Sequence, residues 1–326
     1  MAHRPTMNDV ARTAGVSLKT VSRVVNGETS VAPDLAARVK AAVASLDYRP
    51  HLGASLLRRR DQQARTIGVL LEDVSHPFSA ALHRAVVEEA GLRDTQVLAG
   101  ILDEGRERDL AVAFDQRQTD GLIVAPMATN QTYLASLRAP IVFVDREATG
   151  MAADTVVSTN VAGAAGAVRH LLVRGHRRIA YLGDRRNLTT ARDRHRGYLR
   201  ALGGRAGPVV HDLRDAAAAE GAAIAVLRGP DPPTAIFAAR SPITVGVVRA
   251  LRRLRLENAV ALIGFDDFPL ADLLDPPVTV VAQDPARMGR TAALALFERI
   301  DGDRSAPREI RIPTTLIPRG SGELAI

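Results

Sequence analysis

The 326-residue chain contains no cysteine. Disulfides and thiolate metal sites are therefore excluded, and the composition suits a reducing compartment. Tryptophan is absent and aromatic residues make up only 3% of the chain, so Ala, Val, Leu and Ile must fill any core. Lysine occurs only at Lys19 and Lys40; arginine supplies the rest of the 43 basic residues. No apolar run approaches the roughly 20 residues that span a bilayer, and the opening "MAHRPTMNDV" carries no apolar signal core. These absences predict a cytoplasmic protein with no membrane segment. G-x-G-x-x-G, P-loop and G-x-S-x-G signatures are missing from the contexts that give them meaning. The eight histidines show no H-x-x-x-H spacing. No catalytic residue, metal site or cofactor is therefore expected, and the chain does not read as an enzyme.

What is present is distributed unevenly. Apolar residues make up 46% of the sequence, enough for a sizeable core in two or three domains. Residues 1–65 hold 11 basic and 5 acidic side chains, a net +6, whereas residues 66–326 hold 32 and 31, a net +1. One fifth of the chain thus carries nearly all the excess charge, as a small polyanion-binding unit on a neutral body does.

That basic unit contains "DVARTAGVSLKTVSRVVNG" at residues 9–27. Thr6 is placed to cap a first helix with Asp9 in its first turn, Val10, Ala11 and Ala14 share one face, and Gly15 can end it. Ser17 can cap a second helix whose apolar stripe is Val21, Val24 and Val25. A third fits Asp34–Leu46, with Leu35, Val39, Val43 and Leu46 at core spacing. Two short helices around a Gly-containing turn, completed by a third, form a helix-turn-helix unit. Its second helix would enter the major groove. There Arg23 can pair bidentately with guanine, Lys19 can donate to guanine O6 or N7, and Leu18 can pack on a thymine methyl. A protein-binding three-helix module with a solvated basic face shares the same pattern.

"MNDVARTAGVSLKTVSRVVNG", followed by Val31, "RV" at 38–39 and "LDYRP" at 46–50, resembles the LacI/GalR family of bacterial transcriptional repressors. The resemblance implies a helix-turn-helix DNA-binding domain over residues 1–47, with Leu18, Lys19 and Arg23 reading base edges. Thr6, Ser17, Thr20, Ser22 and Asn26 would lie near phosphates, which position the domain without conveying sequence. Residues 48–65 correspond to a hinge that folds on DNA into a short helix. Two such helices enter the minor groove, each wedging a leucine between bases. The wedge here is Leu57, with Leu56 beside it and Ala54 permitting close pairing of the two helices. His51 and Ser55 depart from the Asn and Arg common in the family at those places. A flexible basic linker is the alternative reading.

From Thr66 onward, short β-branched runs alternate with amphipathic stretches. "TIGVLL", "TQVLAGI", "DGLIVAP", "PIVFVD" and "TVVS" form one set; "RRIAYLG", "PVVHD", "PTAIFAA", "AVALIGF" and "VTVVA" form another. This alternation predicts two α/β subdomains, each a doubly wound parallel sheet of about five strands covered by helices on both faces. The resemblance extends over this body, which is similar to periplasmic sugar-binding proteins. It implies one subdomain from about 66–160 and 285–317, and a second from about 161–284 and 318–326. The closing "RIPTTLIPRGSGELAI" has no leucine heptads, so no helical tetramerisation tail is expected.

Ligands of such sheets bind beyond the carboxyl ends of the strands. Polar residues gather at those ends here, and suit a polyhydroxylated ligand. By resemblance, Phe78, Asp145, Arg146, Arg194, Asp266 and Gln283 fall at effector-pocket positions. Arg240 stands where the family often has Asn, and Thr159 where an Asp is common. Arg240 adds a fork donor suited to carboxylate or phosphate. Either the effector is an acidic or phosphorylated sugar, or Arg240 pairs with a nearby acid such as Asp266 and the effector is neutral. The expectation is a homodimeric DNA-binding regulator, a repressor on a palindromic operator, controlled by a sugar or sugar derivative. A purine or nucleoside corepressor is the alternative; a sugar-binding protein that does not bind DNA, or an enzyme, follows behind.

Overall fold

The computed structural model describes residues 5–25, 28, 30–48, 65–103, 105–204 and 207–326. The chain divides into two units, residues 1–64 and 65–326.

The first unit contains helices α1 (Met7–Ala14), α2 (Leu18–Val25) and α3 (Pro33–Ser45). Thr6 and Asp9 form a reciprocal capping box at the start of α1, and Gly15 ends it in the left-handed conformation at φ 62°, where a side chain would be strained. Arg38 on α3 secures the same end by donating to the carbonyls of Ala14 at 2.7 Å and Gly15 at 3.1 Å. Val10, Ala14, Val21, Val39 and Ala42 form the buried centre, with Val24, Val25 and Leu46 packed around it.

The second unit holds two six-stranded sheets. The first contains β1 (Thr66–Leu71), β2 (Gln96–Ile101), β3 (Gly121–Val124), β4 (Ile141–Val144), β5 (Asp154–Ser158) and β11 (Glu309–Ile312), in the order β11-β5-β4-β3-β1-β2. The second contains β6 (Ile179–Leu182), β7 (Val209–Val210), β8 (Ala235–Ala238), β9 (Ala261–Phe265), β10 (Thr279–Ala282) and β12 (Thr315–Ile317), in the order β12-β10-β9-β8-β6-β7. The connecting helices are α4 (Pro77–Gly91), α5 (Glu107–Gln116), α6 (Asn160–Val173), α7 (Thr189–Leu202), α8 (Ala216–Leu227), α9 (Ser241–Leu254) and α10 (Pro285–Ile300). No described helix is long and apolar enough to cross a membrane.

Alternation of side chains along each strand fills a core on both faces of each sheet. On β1, Ile67, Val69 and Leu71 join one cluster and Leu70 the opposite one. On β6, Ala180 and Leu182 face one way, Ile179 and Tyr181 the other. The sequence predicted about five strands per sheet, all parallel. Each sheet has a sixth, because the short runs "EIRI" and "TLI" pair at the edges, and β12 runs antiparallel to β10.

The chain passes between the sheets at Thr159, at Gln283-Asp284 and at Pro313-Thr314. The last passage lies before β12, so residues 315–317 belong to the second subdomain and not to the first, where the sequence reading put them. A direct return from β11 into an antiparallel edge strand needs only two residues. The outer passages touch: Thr314 N donates to Thr159 Oγ1 at 3.0 Å. Gly163 leaves room for this, since a Cβ there would lie 2.5 Å from Thr314 Oγ1.

Asp154 anchors the first sheet to its late-joining pieces. It is 1% exposed. It accepts from Arg299 Nε at 2.9 Å and Nη2 at 2.8 Å, and from Arg308 N at 2.7 Å and Nη2 at 3.0 Å. Burial alone would raise its pKa, but the hydrogen bonds from Arg299 and Arg308 outweigh that and hold it below the usual carboxylate range. A depressed folded-state pKa contributes stability above the unfolded value of about 3.9 and loses it as pH falls toward the folded value. Asp154→Ala should cost about 3 kcal/mol in urea unfolding at pH 7, in the range for breaking a buried pair. The gap from the parent protein should narrow as the pH drops below about 4. An equal gap at pH 3 and pH 7 would remove the carboxylate charge from this role.

Candidate functional site

In the first unit, Val21 turns inward with no exposed surface, while Leu18 on the opposite side of α2 is 47% exposed. Lys19 and Arg23 are exposed beside it, and Arg23 Nε lies 3.5 Å from Glu28. Leu18, Lys19 and Arg23 thus share one solvent face. Ser17 and Thr20 hydroxyls bond each other at 2.9 Å, and Thr20 N donates to Ser17 Oγ at 3.1 Å. The Thr6 hydroxyl gives its proton to Asp9 at 2.6 Å, so donation to a phosphate requires that bond to break. Ser22 lies half-buried on α2. Asn26, Ala54 and Leu57 lie outside the described residues.

In the second unit, all seven residues named from the sequence line one cleft: Phe78, Asp145, Arg146, Arg194, Arg240, Asp266 and Gln283. The three passages make this inevitable, because they bring the carboxyl ends of the two sheets face to face. Asp145 follows β4 and Asp266 follows β9, which hold equivalent places in the two strand orders. Both are left-handed, at φ 66° and 72°, a conformation Asp tolerates better than most residues. Each amide donates to the neighbouring strand at 2.9 Å, Asp145 to Val156 O and Asp266 to Val281 O. Burial raises the pKa of Asp145, opposed by Arg146 and Arg194.

Arg194 is the most committed of the cations. It donates to Asn160 Oδ1 at 2.8 Å and Ala239 O at 2.9 Å, lies 3.7 Å from Asp266, and stacks 3.9 Å over the Phe265 ring. Gln283 Nε2 donates to Asp266 Oδ1 at 2.5 Å. Arg240 reaches Asp184 Oδ2 at 3.1 Å, which corrects the pairing with Asp266 considered above: Asp266 is already engaged by Gln283 and Arg194, whereas Asp184 ends the strand beside β8.

Sequence reasoning did not assign Glu72, Asp73, His76, Ser79, Asp184 or Thr190, which also line the cleft. Their signal was available, since "ED", "SHPF" and "GDRRNLTT" follow strand ends. What was missing was which of several polar residues at each end turns inward. Glu72 contacts both Arg146 and Arg185. His76 Nε2 lies 2.9 Å from Ser241 Oγ. No group of three or more His, Cys, Asp or Glu among the described residues could hold a metal.

A unit whose described residues form three helices with an exposed basic face, and a paired-sheet body whose cleft is lined by hydrogen-bonding groups, define a class: DNA-binding regulators that respond to a small molecule. Residues 6–51 match the bacterial regulatory proteins of the lacI family, and residues 168–322 match the periplasmic binding protein-like domain. The chain is 32% identical to the HTH-type transcriptional regulator PtxS of Pseudomonas plecoglossicida, over 98% of this chain and 96% of that protein. It is 31% identical to the ribose operon repressor of Escherichia coli K12, over 97% and 99%. Its backbone superposes on the lac repressor dimer bound to operator and the anti-inducer ONPF with a TM-score of 0.86 over 99% of this chain and 100% of that one, at 24% identity, a likeness of fold. The chain belongs to the LacI family of bacterial transcriptional regulators.

Arg194→Lys tests how the cleft is held. A lysine keeps the charge but loses the fork and the ring stacking. The variant should lose about 2 kcal/mol of stability, the cost of leaving buried acceptors unpaired. A change below about 0.5 kcal/mol, the level of an ordinary surface substitution, would show that charge alone suffices.

Proposed function

We propose that this protein is a homodimeric repressor whose affinity for a two-fold operator is set by a neutral, polyhydroxylated effector bound in the cleft. The observation that carries the effector class is the state of the guanidiniums. Five carboxylates line the cleft, Glu72, Asp73, Asp145, Asp184 and Asp266, against three arginines. Each arginine already has an acceptor within the protein: Glu72 for Arg146, Asp184 for Arg240, and Asn160 with Ala239 for Arg194. An acidic or phosphorylated sugar would bring further negative charge into a cleft where carboxylates already outnumber arginines. Hydroxyl groups can instead donate to Asp145 and Asp266, as the names of relatives such as the ribose operon repressor agree. A purine finds only Phe78 and the His76 imidazole as rings in the lining, and His76 is already held by Ser241 and Phe78 N.

On the DNA side, Leu18, Lys19 and Arg23 read base edges. Thr6, Ser17, Thr20, Ser22 and Asn26 lie near phosphates, and Leu57 with Ala54 serves the minor groove. Family members bind operator DNA as dimers, and a two-fold site matches a two-fold protein. Effector binding alters how the subdomains close about the three passages, and the coupling to DNA is reciprocal, typically about 1–3 kcal/mol.

The effector class is tested by calorimetric titration with matched neutral and acidic sugars, D-ribose against D-ribonate and D-glucose against D-gluconate. Binding confined to the acidic members would overturn it. For DNA, an operator selected from random duplexes should lose discrimination at one base pair with Arg23→Ala, by about 1–3 kcal/mol. Leu57→Ala should weaken operator binding while effector affinity stays level; unchanged operator affinity would remove Leu57 from the wedge role.

A further inference from the structure

We infer that Glu72 is both a clasp and a selectivity element: it joins the two subdomains across the cleft, and by occupying Arg146 and Arg185 together it bars anionic sugars. The inference rests on the reading of the cleft as the effector site.

Glu72 directly follows β1 of the first sheet. Its Oε2 accepts from Arg146 Nη2, on the segment after β4 of the same sheet. Its Oε1 accepts from Arg185 Nη2, on the segment after β6 of the second sheet. One carboxylate therefore uses both oxygens to tie guanidiniums from different subdomains. The Arg146 and Arg185 side chains are only 8% and 10% exposed, so the pairings are shielded from the solvent screening that weakens surface ion pairs. Burial on its own would raise the Glu72 pKa; Arg146, Arg240 and Arg185 reverse this and bring it down to about 2. The clasp is consequently charged throughout the physiological range.

Two neutral contacts reinforce it. Phe78 N donates to His76 Nδ1 at 3.3 Å, which leaves the proton on Nε2 and directs it to Ser241 Oγ, 2.9 Å away on the second subdomain. Glu147 N, on the first subdomain, donates to Thr189 Oγ1 on the second at 3.2 Å. The cavity between is lined by residues of both subdomains and has room for several waters. An effector that parts the two walls breaks these cross-cleft contacts, and the strongest of them is ionic. A carboxylate or phosphate on the effector would have to replace Glu72 on the arginines while Glu72 stayed nearby, charged and unpaired. A hydroxylated neutral ligand needs no such exchange.

The test uses Glu72→Gln, which keeps the shape and removes the charge, and Arg185→Gln, which cuts the clasp from the other side without taking the carboxylate from Arg146 as well. Because the chain has no cysteine, Ala135→Cys and Ala217→Cys, at exposed places on the first and second subdomains, take spin labels at those two sites alone. Electron–electron double resonance on the full-length protein without sugar, with labelled chain diluted into excess unlabelled chain so that labelled dimers carry one labelled pair, should give one narrow distance distribution for the parent chain and longer, broader distributions for both variants. Unchanged distributions in both would overturn the clasp. Titration with D-ribose and D-ribonate reads the second half: in Glu72→Gln the affinity ratio should move roughly tenfold toward the acid, the scale of one charge-assisted hydrogen bond. A ratio equal to that of the parent would overturn the selectivity role. If the parent chain bound neither sugar but the distances lengthened, the clasp would stand and the reading of the effector class would fall.

Discussion

Three passages of the chain between two parallel sheets set the terms for everything in the larger unit. In a parallel sheet all carboxyl ends lie on one edge, and the loops leaving that edge carry whatever polar groups the sequence supplies. Joining two such sheets through Thr159, Gln283-Asp284 and Pro313-Thr314 turns these edges toward each other. The result is a cleft whose walls come from segments hundreds of residues apart. Its charged groups are partly removed from water, and buried charges persist only when paired. The arginines of the cleft accordingly end on Glu72, Asp184, Asp266 or backbone carbonyls.

The two subdomains repeat one plan. Asp145 and Asp266 stand at equivalent strand ends, with the same left-handed backbone and the same amide contact to the next strand. The repetition breaks at the edges, where β11 is parallel and β12 antiparallel. It also breaks in the charges that reach across. The first subdomain contributes Glu72 and the second contributes Arg185, so the halves are electrically complementary at that point. The pairing of the protein's own side chains thus links the two walls of the cleft.

The small unit is governed by local rules. Capping at Thr6, a left-handed exit at Gly15 and the spacing of Val10, Val21 and Val39 are visible in the sequence, and the helices lie within a residue of the expected bounds. Arg38 was not visible as part of that design. It closes the C-terminal end of α1 from a helix 24 residues away, and no short-range pattern announces such a contact. In the body, ten strands were legible because β-branched runs alternate with amphipathic stretches. β11 and β12 were not, because "EIRI" and "TLI" follow one another after α10 with no amphipathic stretch between them to mark the alternation. The seven cleft residues were legible by resemblance to a family; their pairings were not. Arg240 illustrates the limit: its guanidinium was evident, but whether Asp184 or Asp266 would meet it depended on what else had already engaged each acid.

The sequence alone determined the helices of the DNA-reading unit, the strand–helix alternation of the body and the chemistry gathered at strand ends, because these follow from propensities and spacings that act over a few residues. The tertiary structure decided which acid meets which arginine, where the chain changes sheets for the last time, and that Glu72 holds Arg146 and Arg185 at once. Those outcomes depend on competition among groups distant in sequence for a limited number of buried partners, and only the packed arrangement of both sheets settles that competition.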